Sequence, residues 1–149
     1  MHNSPPHAFS NSLIFKLMRI LVSIILIALL SFTTGLYLPW WSFAPVSFLV
    51  AFFISQKPLS SFIAGFLALL ILWGGLAFWI DRQNEHVLST RIAELFPLGG
   101  NPYALIGTTA LIAALIAGLA ALSGSFLLKF LLTTRNEKVK KFAQSLAHR

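Results

Sequence analysis

The sequence predicts an all-α integral membrane bundle of four transmembrane helices, with a short extracytoplasmic amphipathic helix between the third and the fourth. Three observations predict it. Of the 149 residues, 57% are hydrophobic and 10% charged, where a soluble domain carries about 25% charge. The mean hydropathy is +0.82. The charges sit at the ends of long apolar runs, where they act as topology signals. A bilayer removes the need for a charged coat, so the whole chain, 1–149, reads as a single membrane domain.

Residues 1–12 are polar and contain proline, and read as a disordered tail. Lys16 and Arg19 then lead into the first span, about 17–38, whose apolar run from Ile20 to Leu38 carries no charge. About 20 apolar residues cross a ~30 Å hydrocarbon core, so the run is long enough. A secretory signal is the rival reading, but the apolar stretch exceeds the ~7–15 residues of a signal core and no small-x-small cleavage site follows. Pro39 ends the helix by removing a backbone donor. Tyr37, Trp40 and Trp41 are amphipathic aromatics suited to headgroup depth.

The second span, about 42–56, has Ser42 as its expected N-cap and Pro45 in its first turn. Counted from Trp40 to Ser55 it has 16 residues, about 24 Å of helix. It either crosses a locally thinned bilayer or is re-entrant. The third span, about 59–80, opens at Pro58 and has 22 uncharged residues. The fourth, about 102–130, opens on Asn101-Pro102, an N-cap followed by proline at the first helical position.

Between the third and fourth spans, Leu88, Ile92, Leu95 and Phe96 recur on one helical stripe. This predicts a surface helix over about 86–96, stopped by Gly99-Gly100. The last segment, 133–149, reads as a basic cytoplasmic tail. Lys and Arg counts set the orientation. With four spans, nine fall on one side (Lys16, Arg19, Lys57, Lys129, Arg135, Lys138, Lys140, Lys141 and Arg149) and two on the other (Arg82 and Arg91). Both termini are therefore expected on the cytoplasmic side of the cell membrane. Lys57 belongs with the nine only if the second helix crosses.

Candidate functional residues are few. The chain has no cysteine, which removes thiol nucleophiles, thiolate metal sites and disulfides. His2, His7, His86 and His148 are scattered without metal-ligand spacing. No phosphate loop, nucleophile elbow or HExxH is present. No span carries the carboxylate or histidine that proton-coupled carriers place in the membrane. The glutamate of small four-helix drug exporters and the cysteines of thiol-redox four-helix proteins are likewise missing. No cofactor, metal or catalytic residue is assigned, and the chain is read as non-enzymatic.

Three features remain. Ala110, Ala113, Ala114, Ala117, Gly118, Ala121 and Ser125 make a small-residue face on the fourth span, which permits close helix approach. That face packs either the protein's own bundle or a homo-oligomer or membrane-protein partner, with Ala64, Gly65, Ala68, Gly74 and Gly75 as complement on the third span. Asp81, Arg82, Glu85, Arg91 and Glu94 cluster after the third span, as a self-neutralising cap or an interaction surface. Arg91 and Glu94 are spaced to pair on a helix. Arg135, Lys138, Lys140 and Lys141 in the tail are candidate contacts for anionic lipid. The tail lacks interleaved stacking aromatics apart from Phe142, so nucleic acid is not an expected partner.

The stretch Trp79-Ile80-Asp81, with Leu88-Ser89-Thr90-Arg91-Ile92-Ala93 and Pro97-Leu98-Gly99-Gly100, resembles uncharacterised small bacterial four-helix inner-membrane proteins. That resemblance implies no activity. The functional expectation is a structural or accessory subunit of a membrane complex. The alternative is a small oligomeric channel or transporter with a path lined by Thr33, Thr34, Thr108 and Thr109. The third reading is a lipid-acting enzyme using Asp81, Glu85 and His86.

Overall fold

The computed structural model describes residues 6–97 and 99–147, with side chains between Leu13 and Leu146. Among the described residues there is no strand. The helices are α1 (Pro6–Tyr37), α2 (Phe43–Phe53), α3 (Pro58–Gln83), α4 (Val87–Leu95) and α5 (Pro102–Ala147), with a 3-10 turn at Trp40–Ser42. Three stretches are long and apolar enough to cross a membrane: Leu13–Tyr37, Pro58–Gln83 and Pro102–Leu146. The protein is thus all-helical, and these three helices suit a multi-pass membrane protein.

The large helices form a ring. α1 packs on α2 and α3, and α5 packs on α3 and α2, so α1 and α5 stand diagonally opposite. Phe43 and Trp73 meet edge-on across the other diagonal, 6.3 Å between ring centroids. α3 and α5 run antiparallel. A Cβ on Gly65 would sit 2.7 Å from the Ala117 carbonyl oxygen, and one on Gly118 would sit 2.9 Å from the Phe62 ring. A Cβ on Gly124 would run into the Phe48 carbonyl oxygen of α2 and sit 3.3 Å from the Phe52 amide nitrogen. Only a missing side chain allows such backbone approach, which is how helices associate without a hydrophobic drive.

Burial is inverted relative to a soluble bundle. Ala64, Ala68, Ala114, Ala117 and Ala121 are inside with Ser23, Ser47, Ser61 and Ser125, while Leu21, Ile25, Leu29, Ile71, Ile112, Leu119 and Phe126 face outward. A continuous apolar exterior of this size would drive aggregation in water. It is the surface a hydrocarbon solvent requires.

Four sequence expectations need correction. Residues 6–12 are not a disordered tail but the first turns of α1; proline is tolerated in a helix's first turn, and nothing after Pro6 breaks the helix. Residues 1–5 lie outside the described residues. Ser42 does not cap α2: it is already in helical conformation and its hydroxyl makes no cap bond. The 3-10 turn before it supplies the entry, with Ser42 N–H donating to the Pro39 carbonyl. The fourth span and the tail are one helix of 46 residues. No glycine or proline occurs after Gly124, so charge ends the apolar run without ending the helix. Lastly, α2 has only 11 residues, and its return is completed by extended backbone after Ile54.

The start of α5 follows the expected design. Asn101 Oδ1 accepts from the backbone amides of Tyr103 at 3.0 Å and Ala104 at 3.4 Å. Gly99 and Gly100 carry φ of +61° and +71°, which glycine adopts without a Cβ penalty.

Candidate functional site

Polar chemistry concentrates at the two ends of the bundle. The first end is built by the break between α3 and α4. Glu85 and His86 both adopt positive φ, 49° and 61°, which costs a non-glycine residue about 1–2 kcal/mol. The turn is held by its hydrogen bonds. His86 N–H donates to the Asp81 carbonyl at 3.1 Å, and Asn84 Nδ2 donates to the Ile80 carbonyl at 3.0 Å.

This reversal brings three side chains together. Asp81 is buried. Its Oδ2 lies 2.5 Å from His86 Nδ1, and its Oδ1 accepts the Ser89 hydroxyl. The Thr90 hydroxyl donates to the His86 carbonyl at 2.7 Å, bonding back within the first turn of α4. The His86 ring lies 5.8 Å from the Tyr103 ring, centroid to centroid. A carboxylate at the end of one helix therefore pins the first turn of the next. Beside it, a cleft of about 360 Å³ runs between α3, α4 and α5, with Leu88 and Ile92 on one wall and Asp81 and Ser89 on its polar rim.

Of the expected interaction cluster, Asp81 alone is in this knot. Arg82 stacks over the Phe78 ring at 5.4 Å, while Glu85 sits on the reversal with no ion-pair partner. Arg91 and Glu94 do not pair, contrary to their spacing. The ion pairs among the described residues are His86–Asp81 and Lys140–Glu137, the latter at 3.9 Å. α4 has only 9 residues, and Arg91 and Glu94 are both exposed on it, with the Glu94 side chain close to Gly100. Nor does His86 stand alone, as its isolation in sequence suggests. No local spacing signals Ser89, whose partner is eight residues away across a helix break. The Asp81–His86–Ser89 set is not a nucleophile relay: the Ser89 hydroxyl donates to the carboxylate rather than to the imidazole. His2, His7, His148 and Arg149 fall outside the described side chains.

The second end gathers residues far apart in sequence. The α1–α2 hairpin returns the chain to the level of Arg19, whose Nη1 donates to the Ser55 carbonyl at 3.3 Å. Gln56 Nε2 donates to the Arg19 carbonyl at 3.1 Å and to the Ser23 hydroxyl. The Arg19 bond satisfies the Ser55 carbonyl of the non-helical leg from Ile54 to Lys57, and the Gln56 side chain ties that leg to α1. A cleft of about 300 Å³ opens here, lined by Lys16, Arg19, Lys57 and Lys129 together with Ser55, Gln56 and Ser60.

The small-residue face of α5 lies inside the chain's own bundle. Ala110, Ala113, Ala114, Ala117, Gly118, Ala121 and Ser125 are all buried against α2 and α3. Arg135, Lys138, Lys140 and Lys141 are exposed on the distal part of α5. The Thr33, Thr34, Thr108 and Thr109 hydroxyls each donate to a carbonyl one turn earlier, at 2.8 to 3.1 Å.

No protein-family model matches the chain, and no curated protein or solved structure is similar to it.

Proposed function

We propose that this protein is a non-enzymatic accessory subunit of a membrane complex, crossing the bilayer four times with both termini cytoplasmic, and that it holds its partner through the distal part of α5. The observation that carries the reading is the extension itself. From Phe130 to Ala147, α5 continues for about 27 Å at 1.5 Å per residue, and its side chains from Phe130 to Leu146 are exposed. Val139, Phe142 and Leu146 are 60%, 66% and 58% exposed on it and fall on one helical stripe. In proteins most helical stability comes from packing an apolar face against something else.

Charge indicates the kind of partner. Arg135, Lys138, Lys140 and Lys141 flank the stripe, with Glu137 as the one acid on the extension. A second copy alongside would bring like charges together. An acidic amphipathic helix of another protein complements both the stripe and its rim.

The fourth crossing is supported by reach. Trp40–Phe53 contributes about 21 Å of helix, and the four-residue leg from Ile54 to Lys57 adds up to about 13 Å at ~3.3 Å per residue. Together they match the ~30 Å core and end beside Arg19. The small-residue face is already used within the bundle, which moves the partner surface away from the membrane seam. The channel alternative gains nothing from the threonines, whose hydroxyls are engaged by their own helices.

Mild-detergent purification tests the proposal. The full chain should co-purify with a specific membrane-associated protein, and Val139→Asn with Phe142→Asn should lose it while the bundle keeps its elution volume and helicity. An identical co-purifying set from wild type and the double variant would remove the extension as the docking surface.

A further inference from the structure

We infer that the cation-lined cleft between α1, the Gln56–Lys57 turn and α5 is a binding site for the phosphate of an anionic phospholipid headgroup; this rests on the reading that the bundle spans a bilayer. Sequence-distant cations converge there: Lys16 and Arg19 from α1, Lys57 from the turn, Lys129 from α5. Orientation rules require cations near helix ends. They do not require four of them around one cavity.

The decisive point is missing counter-charge. The chain has four carboxylate side chains. Asp81 is held by His86 and Ser89, Glu137 pairs with Lys140, and Glu85 and Glu94 belong to the α3–α5 connection at the opposite end. None lines the cleft. The four cationic residues thus line one cleft with no carboxylate among its lining residues. An anion from outside relieves their mutual repulsion.

The donors suit a phosphate. Arg19 gives one N–H to the Ser55 carbonyl, and its guanidinium has five donors in all, so several stay free for a planar contact with phosphate oxygens. Lys57 and Lys129 supply compact charges, and the Ser60 hydroxyl completes the rim. The depth suits a lipid. The cleft lies at the end of the apolar exterior, where Leu17, Leu21 and Phe130 are exposed, so acyl chains can run along the bundle below a bound headgroup. Cations beside a membrane attract anionic lipid in this manner. The cleft adds a fixed geometry to that attraction.

Native mass spectrometry of the full chain in mild detergent tests the site, with short-chain phosphatidylglycerol, phosphatidylcholine of equal chain length and inorganic phosphate as probes. Phosphatidylglycerol should be retained in preference to phosphatidylcholine. Lys57→Gln with Lys129→Gln should weaken it about 25-fold, from about five-fold per cation. Lys57→Arg with Lys129→Arg should retain it, which separates lost charge from lost fold. Neutralising Arg135, Lys138, Lys140 and Lys141 should leave retention unchanged, and protein co-purification reads out the accessory role separately. Equal retention of the two lipids, or insensitivity to the Gln pair, would overturn the site. Inorganic phosphate displacing the lipid at equal concentration would overturn the lipid as its source.

Discussion

The two ends of the bundle handle charge in opposite ways. At the α3–α4 break, Asp81 is buried and receives both His86 and Ser89, so a charged group becomes part of the scaffold. At the other end, Lys16, Arg19, Lys57 and Lys129 surround a cleft into which no carboxylate points. The first end is complete within the chain. The second is complete only when something joins it. A charge cluster in a membrane protein therefore carries information about a ligand only after its internal partners have been counted.

The largest expected effect comes from breaking the seam that keeps the two ends apart. Gly124→Val puts side-chain atoms into the Phe48 carbonyl and the Phe52 amide. Overpacking of this kind costs about 1–3 kcal/mol, and a displaced α2 carries Lys57 away from Lys129. Thermal aggregation in detergent should occur earlier than for wild type. Gly75→Ala, which meets open space, should leave it unchanged. If both variants behave alike, close approach does not hold the ends in place.

Asp81→Ala should have an intermediate and local effect. It leaves His86 and Ser89 without their shared acceptor, and α4 makes few other contacts with α3. Hydrogen exchange should rise across Val87–Leu95, while phospholipid retention at the far end stays as in wild type. Loss of retention would show that the two ends are coupled, and the comparison would fail. The smallest effect belongs to Arg91→Ala and Glu94→Ala. Neither residue is in an ion pair, so each change should stay within about 0.5 kcal/mol by thermal melting. A larger loss at Arg91 would mean that the first end relies on more than Asp81.

Much of the fold was legible locally. Apolar runs locate α1, α3 and α5, Asn101-Pro102 opens α5, and Gly99-Gly100 ends the surface segment, because each of these depends on residues within one or two turns. The small residues of α5 identify a packing face for the same reason. The candidate sites were less legible. His86 and Ser89 are five and eight residues from Asp81, but the αL backbone at Glu85 and His86 removes helical periodicity, so spacing arguments do not apply. Arg19 meets Ser55 and Gln56 across more than thirty positions. The length of α5 is hidden for a different reason: charge after the apolar run suggests a tail, although Lys, Glu, Gln and Ala are good helix formers.

By itself the sequence determined the solvent. With 57% hydrophobic residues and charge confined to the margins, the transfer energetics of its long apolar runs suit a bilayer. It also located the apolar helices, since backbone groups in hydrocarbon must bond within their own segment, but not where α1 begins or where α5 ends. Only the tertiary structure decided which charges are neutralised and which are left open. That depends on distances between residues on different helices, set by the approach of Gly65, Gly118 and Gly124 to their neighbours. An ion pair and a bare cation look alike in a sequence; a few ångströms of packing separate them.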